Sequence, residues 1–249
     1  MTRVALTGNG TFGRQELADY ELLYWSVPFR GQFVRAVLAF AGTTWTEGGD
    51  QKIADLMEGP IADMPVPFMG PPVLIDRKAD FAIAEMPAII LYLGEALELL
   101  PDTPQLRAMT MKIVNDANDV IDEITLNGGQ QMWTEERWRE YVPRLKKWMS
   151  LWEETGRRYG LEADAGHILG GSTPGIADVI TATLWTTMTE RFSSVRAVFE
   201  EMAPMTAALC RRISSLPSLA ALADDARRDY GTAYAGGQIG ASMAKVLNG

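Results

Sequence analysis

Hydrophobic and polar residues alternate along a short segment near the start of the chain, and apolar residues then recur at helical spacing. Residues 20–25 alternate with the aromatic side chains of Tyr20 and Tyr24 on one face, which predicts a half-buried β-strand. Residues 30–41 carry apolar side chains at intervals of three and four, and Gly42, a residue typical of helix ends, follows them. A strand followed by a helix is therefore expected here.

The next segment predicts a hairpin and a second helix. Residues 48–70 are rich in proline, glycine and methionine and are predicted to be irregular. Residues 73–75 and 81–83 are predicted to pair as a β-hairpin, and an apolar stripe over 88–97 predicts a helix. The order strand, helix, irregular segment, hairpin, helix is typical of a thioredoxin-like domain.

Beyond a predicted linker at 100–104, the pattern becomes purely helical. Thr134 is a good N-cap for one of these helices, and Pro143 predicts a kink or a boundary within it. The last 21 residues, 229–249, are rich in glycine and alanine and are expected to be loosely held or packed over a groove. The helical stripes fall at 106–124, 138–152, 176–184 and 204–223.

Composition narrows the possible functions. The net charge is −9 and no basic run stands out, so nucleic acid and anionic membranes are not expected partners. The most apolar stretch is too charged to span a bilayer, and no secretory signal is recognised at the N-terminus. Cys210 is the single cysteine, which excludes an internal disulfide and indicates a reducing, cytoplasmic location. His167 is the single histidine, so a multi-histidine metal site is excluded and a structural or incidental role is expected for it.

The first nineteen residues contain a glycine pattern that resembles a dinucleotide-binding fingerprint. Gly8 to Gly13 match the spacing G-x-G-x-x-G, but that site needs a crossover helix after the glycines and an acidic residue at the end of the next strand. Only six residues, 14–19, separate the glycines from the predicted strand. We therefore interpret residues 1–19 as an extension with a glycine-rich turn.

Three segments together resemble the cytosolic glutathione transferases, in the classes that use a tyrosine (alpha, mu, pi and sigma), and suggest a divergent, bacterial-style member. They are the residues from Tyr20 to Arg30, from Pro71 to Asp76 and from Glu85 to Leu93. The resemblance implies an α/β thioredoxin-like N-terminal domain and an all-α C-terminal domain. It implies an extension at 1–19, a glutathione-binding domain at 20–99, a helical domain at 104–228 and a tail at 229–249.

The same resemblance implies a thiol-activating residue. The thiol of free glutathione has a pKa of roughly 8.5, so a fixed hydroxyl donor aimed at the sulfur is needed to favour the thiolate at neutral pH. Tyr24 occupies the position of the family's tyrosine, with Trp25 next to it and Arg30 six positions on. Ser26 is the alternative hydroxyl, because theta-like classes use a serine just beyond the strand.

The resemblance implies that Trp25 and Arg30 bind the tripeptide, together with four further residues. Pro71 and Pro72 match the cis-proline turn that pairs with the cysteinyl backbone, and Glu85 and Met86 match the signature that holds the γ-glutamyl end. Glutathione would be the co-substrate, with no metal, and a small hydrophobic electrophile would lie near Val27, Met109 and Ile113. A homodimeric detoxification enzyme, without nucleic-acid or membrane partners, is what the resemblance implies.

Two departures from the family pattern leave alternatives open. Pro71 has no N–H, so one of the two hydrogen bonds to the cysteinyl backbone cannot form. Met86 replaces a serine and removes its hydroxyl. The chain is therefore a transferase, a non-catalytic member of the fold (a ligand carrier, regulator or structural protein), or an enzyme with a changed thiol substrate.

Overall fold

The structure is a computed structural model, and it describes residues 18–247. A four-stranded sheet with the order β2-β1-β3-β4 forms one layer. Strand β1 is parallel to β2 and antiparallel to β3, and β3 is antiparallel to β4. The strands are β1 (Tyr20–Leu23), β2 (Trp45–Glu47), β3 (Val73–Asp76) and β4 (Phe81–Ala84).

Helices cover both faces of the sheet and form the rest of the molecule. The sheet-containing part of the chain has three α-helices, which are α1 (Phe29–Ala41), α2 (Asp50–Glu58) and α3 (Met86–Ala96). The later helices are α4 (Pro104–Ile124), α5 (Leu126–Gly129), α6 (Glu135–Arg158), α7 (Ile176–Arg191), α8 (Ser193–Met202), α9 (Pro204–Ser214), α10 (Pro217–Tyr230) and α11 (Gly237–Leu247). The expected fold class, an α/β layer followed by an all-helical part, is confirmed.

The alternation in β1 separates two hydrophobic clusters. Tyr20, Leu22 and Tyr24 face the main core, which α1 and α3 share with the later helices. Leu23 faces the opposite side, where it packs with Ile53 of α2. Helix α1 is buried almost all round because it lies between the sheet and helices α7 and α10.

The prediction that residues 48–70 are irregular was wrong in part. Helix α2 occupies nine of them, and a three-residue 3₁₀ turn follows at Ile61–Asp63. Ile53 is the only buried residue of α2, so the helix has almost no apolar stripe that a pattern could reveal. Strand β2 was also missed, because it is only three residues long and lies at the sheet edge.

Two further expectations are modified. Thr134 does cap α6, accepting a hydrogen bond from the N–H of Arg137 at 3.2 Å, but the helix continues through Pro143 and does not end there. The segment predicted as a tail contains α11, with Ile239 and Met243 buried. The glycine pattern from Gly8 to Gly13 lies outside the described residues.

The start of α7 is stabilised by a buried carboxylate. Asp178 accepts hydrogen bonds from the N–H of Gly175 at 2.9 Å and from the N–H of Ile168 at 2.8 Å. The first bond caps the helix, and the second fixes the preceding loop to it. Helix α7 contacts α1, α4, α8 and α9, so this cap supports the centre of the helical part.

We expect Asp178→Ala to lower the free energy of unfolding by about 2 to 5 kcal/mol, because two backbone N–H groups lose their acceptor. Asp224→Ala is the matched control, since Asp224 is exposed and pairs only within α10, with Arg227. Urea unfolding of both variants measures the difference. Equal losses in the two variants would contradict a structural role for Asp178.

Candidate functional site

The chemistry-bearing residues meet at one edge of the sheet. The register pairs Leu23 of β1 with Val73 of β3, and Val73 with Ala84 of β4. The residues that follow β1 and β4 and precede β3 therefore share that edge, and they are Tyr24, Glu85 and Pro72. Strand β2 runs parallel to β1, so α2 also begins there.

An open cleft of about 1340 Å³, counting its mouth, lies over part of this edge. Four of the predicted site residues line it: Tyr24, Trp25, Arg30 and Pro71. Pro72, Glu85 and Met86 do not line it. The remaining lining residues are Ser26, Val27, Phe29, Asp50, Asp122, Thr125, Gly128, Gly129, Ala235, Gly236, Gly237 and Ile239.

The Tyr24 hydroxyl is fixed at the N-terminus of α1. Its ring is buried, with 4% of the residue exposed, and its oxygen accepts a hydrogen bond from the N–H of Arg30 at 3.1 Å. Burial raises the pKa of Tyr24 above its ordinary value, and the charge and N–H of Arg30 oppose part of that rise. The hydroxyl therefore stays protonated at neutral pH, and its proton is available to an acceptor in the cleft.

Gly31 is required for this position of the ring. A Cβ at Gly31 would lie 2.3 Å from Cδ1 of Tyr24 and 2.6 Å from Cγ. No rotation of a methyl group relieves such an overlap, so any other residue at position 31 must move the ring. Sequence reasoning missed Gly31, although a glycine inside a helical pattern is itself a signal of close approach.

The loop between β1 and α1 is held by Arg35, which sequence reasoning also missed. The Arg35 side chain is buried and donates to both carboxylate oxygens of Glu47, at 2.9 and 3.0 Å. It also donates to the carbonyl oxygens of Val27 at 2.9 Å and Trp25 at 3.4 Å. Its guanidinium lies 5.7 Å from the centre of the Tyr24 ring. One buried cation thus connects the loop, β2 and the predicted activator.

Arg30 lies in the cleft but already has an anionic partner. Its Nη2 donates to Oδ1 of Asp122 in α4 at 3.1 Å, and its guanidinium lies 5.6 Å from the centre of the Phe29 ring. Asp122 is largely exposed, so this ion pair is accessible to solvent and weak. An anionic ligand would have to compete with Asp122 for Arg30.

The peptide bond between Pro71 and Pro72 is cis, as predicted for Pro72. Pro71 lines the cleft, whereas Pro72 is buried beneath it. Pro71 offers its carbonyl oxygen to a ligand but no N–H. Position 71 therefore offers a ligand one backbone hydrogen-bonding group, whereas a non-proline residue there would offer two.

Glu85 and Met86 form the start of α3 but differ in exposure. Glu85 is exposed and has a φ of 72°, an uncommon value for a residue with a side chain. Such a backbone conformation costs free energy and persists only where the surrounding structure enforces it, often at a binding site. The Met86 side chain is completely buried in the core, so only its backbone can serve a ligand. The exposed carboxylate and unusual backbone of Glu85 favour a binding role, whereas the Met86 side chain contributes to core packing.

The alternative hydroxyl, Ser26, is already committed to another residue. Its Oγ donates to Oδ1 of Asp50 at 2.9 Å, and its N–H donates to the same oxygen at 2.7 Å. A serine hydroxyl carries one proton, so Ser26 cannot donate to a thiol without breaking this bond. The geometry favours Tyr24 over Ser26 as the donor in the cleft.

The segment before α11 and the start of that helix form one wall of the cleft. Ala235, Gly236 and Ile239 line it, and the carbonyl oxygen of Tyr234 accepts a hydrogen bond from the N–H of Phe29 at 3.2 Å. Val27 lines the cleft as expected. Met109 and Ile113 do not line it, and Ile113 is part of the core, so the structure does not bring these two residues to the cleft with Val27.

Other chemistry finds little support in the described part of the chain. Burial raises the pKa of the Cys210 thiol well above its usual value, which makes it unreactive. His167 lies on the loop before α7, where Nδ1 is 3.1 Å from the carbonyl oxygen of Gly171. Within residues 18–247 we find no group of three His, Cys, Asp or Glu side chains that could hold a metal ion. Over the same residues, no helix is both long and apolar enough to cross a membrane.

Residues 109–246 match the sequence model of a family described as "Glutathione S-transferase, C-terminal domain", which is more than half of the chain. The chain belongs to the glutathione S-transferase family. The expected family is thereby confirmed, whereas the tyrosine-type class and the bacterial-style origin stay predictions. No curated protein sequence matches this transferase-family chain.

Solved structures of glutathione S-transferases have the same fold. The structure of NaGST-2 is 21% identical, with a TM-score of 0.67, and the alignment covers 84% of this chain and 97% of that one. The pi-class enzyme of Onchocerca volvulus is 14% identical, with a TM-score of 0.69 and coverage of 88% and 98%. The enzyme of Ascaris lumbricoides is 20% identical, with a TM-score of 0.67 and coverage of 83% and 97%. At such identities the likeness shows the fold alone.

We expect Gly31→Ala to cost about 1 to 3 kcal/mol of unfolding free energy, because the new methyl group displaces the buried Tyr24 ring. In a Tyr24→Ala background, which removes the ring, the same change should cost nothing or stabilise α1 slightly. Urea unfolding of the four proteins in this cycle measures the coupling. Additive effects would contradict the close packing of Gly31 against Tyr24.

Proposed function

We propose that this chain is a tyrosine-type glutathione transferase, in which the Tyr24 hydroxyl holds the glutathione thiol as a thiolate for attack on small electrophiles. The observation that carries the proposal is the fixed, protonated Tyr24 hydroxyl at the cleft, with its oxygen 3.1 Å from the N–H of Arg30. That N–H and the positive end of α1 draw electron density from the hydroxyl oxygen and strengthen its proton as a donor.

The chemical step follows from that position. The thiol loses its proton to solvent, and the sulfur anion accepts the hydrogen bond from Tyr24, which lowers the thiol pKa. The sulfur lone pair then forms the bond to the electrophilic atom, and the leaving group departs with its bonding pair. Because its pKa is raised, Tyr24 stays neutral at this step. It therefore donates a hydrogen bond to the sulfur and does not take up the thiol proton.

The tripeptide is proposed to lie along the sheet edge. The Glu85 carboxylate is available to the substrate ammonium, and the first N–H groups of α3 are available to the γ-glutamyl carboxylate. The carbonyl oxygen of Pro71 accepts the cysteinyl N–H. The hydrogen bond that Pro71 cannot donate is a loss on the order of 1 kcal/mol, which lowers affinity without abolishing it.

The electrophile is proposed to bind between the loop after β1 and the end of the chain. Val27, Ala235 and Ile239 line this part of the cleft with apolar surface. Such a wall suits a small hydrophobic substrate, as in a detoxification enzyme of the cytoplasm. We also propose that the chain acts as a homodimer, which the family resemblance implies.

A second candidate is a non-catalytic member of the fold with a degenerate glutathione site. Two observations favour it. Arg30 is paired with Asp122, and Met86 presents no side chain to the cleft. This candidate predicts that glutathione does not bind at all, so it is separated from the first by a binding measurement.

We expect wild-type protein titrated with glutathione at neutral pH to give a saturable ultraviolet difference signal of the thiolate. Tyr24→Phe should lose most of that signal, and the apparent thiol pKa of the bound tripeptide should return towards roughly 8.5. Activity of wild type towards an aromatic halide should rise with pH through a pKa below that of free glutathione, because only the thiolate attacks.

Ser26→Ala is the control for that experiment. The structure predicts that it keeps the thiolate signal, since the Ser26 proton is used by Asp50. Loss of the signal in Ser26→Ala and its retention in Tyr24→Phe would transfer the role to the serine. Absence of any binding to wild type would support the non-catalytic candidate.

A further inference from the structure

The charges that line the cleft are unusual for a site that receives an anionic peptide. Asp50 and Asp122 contribute two carboxylates, and Arg30 is the one cationic side chain among the described lining residues. Arg30 is paired with Asp122. Asp50 is therefore left as a negative charge with no cation of its own in the cleft, and it would repel a substrate carboxylate brought close to it.

Neighbouring cations do not neutralise Asp50. Lys52, two residues further along α2, is paired with Glu21 at 2.6 Å and does not line the cleft. Arg35 is buried and bound to both oxygens of Glu47. The partners of Asp50 are the neutral N–H and hydroxyl of Ser26, which hold its carboxylate in one place at the cleft wall.

The strand order decides which part of the tripeptide meets Asp50. Along the edge, Glu85 follows β4, Pro72 precedes β3, Tyr24 follows β1, and Asp50 follows β2. Neighbouring strands are about 4.8 Å apart, so the row spans roughly 14 Å. Three extended residues cover about 10 Å. A tripeptide with its ammonium at Glu85 and its thiol at Tyr24 therefore directs its third residue towards Asp50.

Asp50 also removes an attraction that the local backbone would supply. It is the first residue of α2, and the N-terminus of a helix attracts a carboxylate through its free N–H groups and dipole. A fixed aspartate in that first turn already satisfies this field. A second carboxylate brought to the same place is repelled.

We infer that Asp50 is a specificity-determining residue that selects against a carboxylate at the glycyl end of the thiol substrate. This inference rests on the proposed function, because it takes the tripeptide orientation from it. The class of thiol that this cleft accepts best is a γ-glutamylcysteinyl peptide whose third residue ends in a neutral or cationic group, such as an ester, an amide or an amine.

The test compares glutathione with its glycyl ethyl ester, in which a neutral ester replaces the charged carboxylate at that end. Calorimetric titration of wild type should give a dissociation constant about fivefold lower for the ester, the effect of one charge near the surface. In Asp50→Asn, which keeps an oxygen for Ser26, the preference should disappear through tighter binding of glutathione. In wild type, raising the salt concentration should also bring the two dissociation constants closer together, because salt screens the repulsion between Asp50 and the glycyl carboxylate.

Asp55→Asn is the matched control, because Asp55 lies one turn further along α2, is bonded to Gln51 and does not line the cleft. It changes the net charge equally and should keep the wild-type preference. Equal or tighter binding of glutathione by wild type, or an unchanged preference in Asp50→Asn, would overturn the inference while leaving the proposed function intact. Failure of both thiols to bind would instead overturn the proposed function, and the inference with it.

Discussion

The buried guanidinium of Arg35 is the interaction on which the cleft depends. Four hydrogen bonds join it to Glu47 of β2 and to the loop carbonyls at Trp25 and Val27, and its face lies 5.1 Å from the centre of the Tyr230 ring. Arg35 is buried whereas Glu47 is exposed, so loss of these acceptors would leave a buried charge without partners, which is unfavourable. The arginine therefore connects the edge strand, the loop after β1 and the end of α10. These connections hold the loop that begins with Tyr24 and so help to position its ring.

The fold was largely predictable where an element carries apolar residues at a regular spacing. The strand from Tyr20 and helix α1 were predicted because their core-facing residues recur with the period of a strand and of a helix, and the structure places those residues in the main core. Strand β2 and helix α2 were missed for the opposite reason. Each buries little against the sheet, with Ile53 alone in α2, so neither leaves a period to detect.

The candidate site was predictable only in part. Tyr24, Trp25, Arg30 and Pro71 meet at one cleft, and they were identified by local resemblance to a family. Arg35 was assigned no role, because a charged residue in a helical stripe is normally exposed. The pairing of Arg30 with Asp122 joins residues 92 positions apart, and the bond between Ser26 and Asp50 joins residues 24 apart. Such contacts arise from the tertiary fold and leave no local signal.

Central to the proposed function is a hydrogen bond from the Tyr24 hydroxyl to the sulfur of the thiol substrate. A crystal structure of the protein with an S-alkyl glutathione tests it most directly, because the sulfur position is then observed. We predict that the sulfur lies within hydrogen-bonding distance of the Tyr24 oxygen, about 3.3 Å, with the cysteinyl N–H at the carbonyl oxygen of Pro71. A sulfur placed beside Ser26, or a tripeptide bound away from the edge formed by β1 and β3, would contradict it.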